Sequence, residues 1–237
     1  ITIFFFKWVF FIFRKRGAEN LPITSKFLKK YGLYPIINHY YEPKFRYSKD
    51  EKKMYLKRNL NLIELKEQNQ LNLLKKLNFK NELLELNLNQ GSKNFNFKFD
   101  NGSFEKGDAE IYYQMIRYFK PKKIIEVGSG HSTLIAMEAV KENKNENSKT
   151  SIKCIEPYEN LWLEKFDLEI LREPLEKTKL NWSQELTEND IFFLDSSHII
   201  RPDGDVLKFY LEILPNLKKG VIIHIHDIFT PKNYLPN

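Results

Sequence analysis

Four short stretches of this 237-residue chain carry side chains that can do chemistry together. The first is Glu126-Val127-Gly128-Ser129-Gly130-His131-Ser132-Thr133, an acid two residues before Gly-x-Gly at the end of an apolar run. Glycines there permit a sharp strand-to-helix turn and a close approach of backbone to ligand, and the following helix presents unpaired amides. Thr133 stands where a dinucleotide loop needs its third glycine, and the carboxylate of Glu126 repels a pyrophosphate, so the turn suits a cationic ligand instead. The second stretch is Glu156-Pro157, 30 residues after Glu126, about the length of one strand-helix-strand unit. An acid at that position can accept both hydroxyls of a ribose. The third and fourth are Asp195-Ser196-Ser197-His198 and His226-Asp227. His198 or His226 can take a proton from a hydroxyl, an imidazole being the side chain that exchanges protons near neutral pH. Asp195 and Asp227 can share a divalent cation such as Mg2+. The plain alternatives are a turn-capping Asp195 and a core histidine at His224.

These residues need a scaffold that delivers them to one edge. Apolar runs at 123–127, 151–155, 168–171, 191–194 and 221–226 read as strands, with helices at 133–140 and 205–214, a polar loop at 141–150 and a helical turn at 160–165. Short strands that are apolar on both sides and separated by helices imply a mostly parallel sheet covered on both faces, an α/β layer architecture. Ligands bind beyond the carboxyl ends of such strands, which is where all four stretches fall. Alternation along the last strand sets His224 and His226 on one face and Asp227 on the other, unless the pleat already ends there. A helix over 108–119 precedes the first strand and is stopped by Pro121. Further upstream, Leu62, Leu65, Leu71, Leu74 and Leu77 predict an amphipathic helix over 61–77 that packs on the core. The proline-bounded aromatic segment 35–43, with His39, suits a loop that covers a pocket. The chain therefore reads as an apolar and basic segment at 1–20, a helical and loop region at 21–106, and a ligand-binding domain at 107–237.

Composition is that of a globular chain, 42% hydrophobic and 29% charged. The net charge of +7 comes from lysines scattered through an Asn- and Ile-rich background rather than clustered with aromatics, which argues against a nucleic-acid partner. A lone cysteine, Cys154, excludes an intrachain disulfide and favours a reducing compartment, the cytoplasm. The first thirteen residues are apolar apart from Thr2 and Lys7 and are followed by Arg14-Lys15-Arg16. A signal peptide has the reverse order, and thirteen helical residues reach about 20 Å, short of the roughly 30 Å hydrocarbon core. Residues 1–16 therefore read as a peripheral contact with the cytoplasmic membrane face or as a packing segment.

The stretches at 124–133, 154–158, 192–198 and 224–229, with Asn101-Gly102-Ser103-Phe104 and Gly107-Asp108-Ala109-Glu110, resemble bacterial class I S-adenosylmethionine-dependent methyltransferases. More narrowly they resemble a stand-alone methyltransferase-domain family often found among glycan and natural-product genes. S-adenosylmethionine carries an ammonium and a sulfonium, which matches the cationic preference of the glycine turn. The resemblance implies a three-layer Rossmann-like fold in which Glu126, Gly128, Ser129 and Gly130 hold the amino-acid end of S-adenosylmethionine and Glu156 its ribose. The reading that follows is methyl transfer to the hydroxyl of a small-molecule or glycan acceptor, and the residues themselves suggest His198 or Asp195 as the base or its orienting group, Asp227 assisting directly or through a metal, and His226 as the next candidate base. Ser132 stands where the family has its third small residue. The chain ends just after its fifth strand, where the family continues through a helix and an antiparallel strand pair, so a truncated sheet is expected, with self-association into a homo-oligomer. A nucleotide-dependent oxidoreductase or epimerase on the same architecture, and a non-catalytic scaffold that keeps the fold, are the competing readings.

Overall fold

Two-sided apolar strands can be buried only in the middle of a layered structure, and the computed structural model of the chain has that arrangement. It describes residues 7–8, 11–12, 15, 21–32, 58–61, 63–157 and 160–228. The 35–43 segment, most of 1–16 and everything after residue 228 lie outside the described residues. The chain divides into two compact units, Ile1–Asn59 with Pro231–Asn237, and Leu60–Thr230.

In the second unit, β1 (Lys123–Val127), β2 (Ser151–Ile155), β3 (Glu169–Leu171), β4 (Ile191–Leu194) and β5 (Ile222–Ile225) form one sheet in the order 3-2-1-4-5. Every pair is parallel. Strand order reverses between β1 and β4, which opens a crevice at their carboxyl ends. The first unit contributes α1 (Pro22–Lys30), and the second contributes α2 (Glu67–Lys76), α3 (Lys80–Glu85), α4 (Asp108–Phe119), α5 (His131–Asn145), α6 (Trp182–Glu185) and α7 (Asp205–Lys208).

One face of the sheet packs Ile124, Cys154, Ile191 and Phe193 against Tyr112 and Ile116 of α4 and Ile135, Ala136 and Ala139 of α5. The other packs Ile125, Val127, Ile155, Phe192 and Leu194 against Trp182, Phe209 and Ile213. Each large apolar side chain removed from water in this way contributes about 1.5–3 kcal/mol before chain entropy is set against it.

The segment leading into α4 is part of the same core, through Leu86, Leu88, Phe97 and Phe104. Buried charge fastens it. Arg117 of α4 makes two hydrogen bonds to Glu82 of α3, at 2.7 and 2.9 Å, and a further one to Asn143 of α5. Glu138 of α5 accepts from the amides of Asn94 and Phe95 at 3.3 and 3.0 Å.

Local structure departs from sequence expectation at three helices. Lys66 adopts a left-handed φ of +48° and starts α2 late, at Glu67. Leu71 and Leu74 are then 52% and 51% exposed, so the leucine stripe does not pack on the core; Leu77, just past the helix, is buried. α5 runs on through Asn145 because Asn143 is held by Arg117 and by the carbonyl of Ile116, at 3.0 Å. The helix expected over 205–214 is α-helical only to Lys208, then widens into a π turn, Phe209–Ile213, and ends in a tight turn containing Pro215, whose ring nitrogen has no hydrogen to donate.

Candidate functional site

Parallel pairing decides which side chains share a face. Glu126 stands opposite Cys154 and Phe193, and Phe193 opposite His224. Two residues further along each strand come Glu156, Gly128, Asp195 and His226, on the same face by alternation. The ladder continues past the strands to reach this second row. The amide of Gly128 donates to the carbonyl of Ile155 at 3.1 Å, Asp195 to Val127 at 2.9 Å, His226 to Leu194 at 3.0 Å and Glu156 to Leu171 at 3.1 Å. Backbone hydrogen bonds thus bring all four stretches to one edge.

Just past β1, Gly128 passes close against the backbone at the end of β4. It has φ +78°, and a Cβ there would lie 1.8 Å from the carbonyl oxygen of Asp195. After it the chain turns into α5. The Gly130 amide donates to Thr133 Oγ1 at 3.0 Å, and Ser132 Oγ donates to Glu126 Oε1. Asn160, itself left-handed at φ +56°, donates Nδ2 to the carbonyl of Ser129 at 2.9 Å and accepts from Trp162 Nε1 at 3.0 Å.

Glu126 is fully buried, and its Oε2 has no hydrogen-bond partner among the described residues. Burial pushes its carboxyl up to about 7; hydrogen bonds from Ser132 and Thr133 oppose the rise, and the charges of Asp195 and Glu156 add to it. A buried carboxylate oxygen without a donor costs free energy until something donates to it. Nearby, burial and then the charge of Glu126 push the Cys154 thiol up to about 12, which leaves it unreactive. Glu156 is also buried, and its carbonyl accepts from Arg172 Nη1 at 3.1 Å.

The ends of β4 and β5 form the second half of the site. His198 Nε2 lies 3.1 Å from Asp195 Oδ1. His226 Nδ1 lies 3.4 Å from Asp195 Oδ2 in an ion-pair contact, and its Nε2 lies 3.5 Å from Asp108 at the start of α4. Alternation alone places Asp227 on the opposite face. A left-handed φ of +57° ends the pleat there and brings its carboxylate back, 3.7 Å from His226 Nδ1 and 3.9 Å from His198 Nε2. Asp195 holds the His226 imidazole up to about 9, against its burial, with Asp227 and Asp108 adding to the effect. Burial works to raise the Asp195 carboxyl, and the two histidines outweigh it and hold the group below its ordinary range. His224, half-buried, meets the stacked Tyr112 and Phe193 rings at 5.2 and 4.8 Å between centroids, and burial pushes it down to about 4, leaving the ring neutral.

The loop after β4 is clamped by Asp205, which accepts from the Ser197 amide at 2.7 Å and from Ser197 Oγ at 2.6 Å. Within that clamped loop His198 takes a left-handed φ of +56°. Sequence reasoning singled out neither Asp205 nor Asn160, Trp162 and Phe104 for roles at this edge. Phe104 packs on the His226 ring at 5.0 Å between centroids, placed there by Asn101, whose Oδ1 accepts from the Phe104 amide at 2.8 Å. The Asn-Gly at 101–102 was the available signal, since such turns fix the path of the residues immediately downstream.

One atom each from Asp195, His198 and Asp227 lie within 4.8 Å of one another, close enough to hold a metal ion together. The arrangement offers a carboxylate under a glycine turn, a second carboxylate one strand over, and a carboxylate–imidazole pair two strands from that.

Residues 125–228, which take in every strand end of this row, match a family described as a methyltransferase domain. An uncharacterized protein of Archaeoglobus fulgidus is 39% identical over 97 residues, 39% of this chain and 43% of that protein. The match thus spans less than half the length of that relative. A solved structure from Plasmodium falciparum, described as a protein-L-isoaspartate O-methyltransferase in complex with S-adenosyl-L-homocysteine, aligns over 68% of this chain and 83% of its own, with TM-score 0.39 and 16% identity.

Proposed function

We propose that this chain is an S-adenosylmethionine-dependent methyltransferase that methylates a hydroxyl of a small-molecule or sugar-like acceptor. The observation that carries the reading is the methyltransferase-domain match over the whole row of strand ends. The residues fit the methyl donor. Glu126 Oε2 is a buried acceptor without a partner, suited to a cationic group, and Glu156 ends the adjacent strand, where a ribose needs a carboxylate. Gly128, Ser129 and Gly130 supply the close backbone approach. When bound, S-adenosylmethionine supplies a methyl group on a sulfonium.

What remains for the protein is to hold the acceptor oxygen in line and take its proton. His198 is the base in this reading. An ionised Asp195 facing Nε2 keeps the proton on that nitrogen, leaves Nδ1 free to accept, and stabilises the imidazolium that forms. His226 suits the task less well, because it is buried between the Phe104 ring and the carboxylates of Asp195 and Asp108. Its part is to hold Asp195 ionised and in place, with Asp227 closing the cluster.

A divalent cation is the second reading, favoured by the Asp195, His198 and Asp227 atoms lying within 4.8 Å. Two carboxylates and an imidazole fit such an ion, which would polarise the acceptor hydroxyl and occupy His198 as a ligand rather than a base. Activity lost in excess chelator and restored by Mg2+ supports the ion; full activity in chelator removes it.

Calorimetric titration of the chain with S-adenosylmethionine, S-adenosylhomocysteine and NAD tests the main reading. Binding of the first two and not the third is expected. Binding of NAD without S-adenosylmethionine overturns the proposal in favour of an oxidoreductase or epimerase, and binding of none favours a scaffold.

A further inference from the structure

α1, in the amino-terminal unit, has nine residues and buries none of them. Ile23, Phe27 and Tyr31, which caps its C-terminus, recur every fourth residue and so line one stripe. They are 86%, 60% and 61% exposed, and the Phe27 and Tyr31 rings lie 5.0 Å apart. Lys26 and Lys30, three residues after Ile23 and Phe27, flank that stripe along one edge, Lys29 lies beyond them, and α1 contains no acid. The described helical residues upstream repeat this chemistry, with Trp8, Phe11 and Ile12 exposed beside Lys7 and Lys15. An apolar stripe of that size left in water needs an occupant, and the occupant must accept a cluster of positive charge along one side.

We propose that α1 docks on an anionic membrane surface, with Ile23, Phe27 and Tyr31 at the headgroup–acyl boundary and Lys26 and Lys30, at the edge of the stripe, against the lipid phosphates. Charge complementarity selects this occupant. An antiparallel second copy packed stripe to stripe would set the Lys26 and Lys30 edge against its counterpart, whereas a sheet of anionic headgroups neutralises both lysines at once. Aromatic and branched apolar residues flanked by lysines along a helix are the composition of interfacial helices. The geometry is that of lying in the surface: no helix of the described residues is long and apolar enough to cross a membrane. The proposal does not depend on methyl transfer.

The test is flotation of the whole chain with vesicles of phosphatidylcholine alone and with about 30% phosphatidylserine, in low and in high salt. Binding to the anionic vesicles alone, weakened by salt, is expected. Phe27→Glu should reduce the partition at least about tenfold, and Lys26→Gln with Lys30→Gln by roughly twenty-five-fold, at about fivefold per lysine. Circular dichroism on each variant establishes that the fold is intact, and Ser25→Asn, on the side of the helix away from the apolar stripe and from Lys26 and Lys30, should bind as the parent does. No binding to anionic vesicles, equal binding to neutral ones, or binding that survives Phe27→Glu overturns the proposal. So does concentration-dependent self-association abolished by Phe27→Glu in a chain that ignores vesicles, which would assign the stripe to a second copy.

Discussion

Replacing Glu126 with Gln removes one charge from a fully buried position of the site and keeps its shape and the acceptor for Ser132 Oγ. Raising a carboxyl from its ordinary 4.5 to about 7 corresponds to about 3 kcal/mol of difference between its two protonation states. The sign follows from proton affinity. The folded carboxyl holds its proton more tightly than the unfolded one, so this stability is fully present below pH 4.5 and is lost as the pH rises through about 7. Urea denaturation of the ligand-free parent and of Glu126→Gln across that range isolates the effect, because other titrating groups are common to both. The stability of the variant relative to the parent should climb by about 3 kcal/mol from the acid to the alkaline end, whatever constant offset the buried amide introduces. Two pH curves that stay parallel would refute the reasoning, since Glu126 would then titrate alike in the folded and unfolded chain. A companion titration should show S-adenosylmethionine binding to the parent strengthening through the same range, with the variant weaker and flat.

Gly128→Ala should destabilise the fold by at least about 2 kcal/mol, since it forces a side chain into left-handed backbone and into the Asp195 carbonyl; thermal denaturation reads it. Glu156→Ala should weaken S-adenosylmethionine by roughly 1.5–3 kcal/mol in a protein of unchanged circular dichroism, and unchanged affinity would remove Glu156 from the ribose. His198→Ala should lower turnover about 100-fold with cofactor affinity nearly intact, measured with an acceptor in hand; full turnover would move the base to His226.

The parts of the molecule that could be read from the chain are those ruled by local pattern. β1, β2 and β4 begin and end where their apolar runs do, and α4 spans the stretch between Gly107 and Pro121, because turn residues punctuate these elements sharply. Register then carries Glu126, Glu156, Asp195 and His226 to one edge with no further information. What was hidden depends on contacts between distant segments. Asp108 reaches His226 only because α4 crosses the sheet, and Asn160 reaches Ser129 across a gap of thirty-one residues. That the pleat ends at Asp227 could be suspected from its place at the strand's end, but the left-handed backbone there and at His198 could not. Asp and His tolerate that conformation without requiring it, and it is this that turns Asp227 towards His198 instead of away.

The row of strand ends also sets how this sequence can change length. Loops on the opposite edge, such as the one between α5 and β2, can gain or lose residues without moving any group in the row. Within β5 the consequence of a single residue is severe. Deletion of one would seat Asp227 where His226 now stands, setting two carboxylates against each other beside Asp195 with no imidazolium between them, and insertion of one would seat Ile225 there. Natural variants of this chain should therefore differ in length along one rim of the sheet and keep strict count along the other.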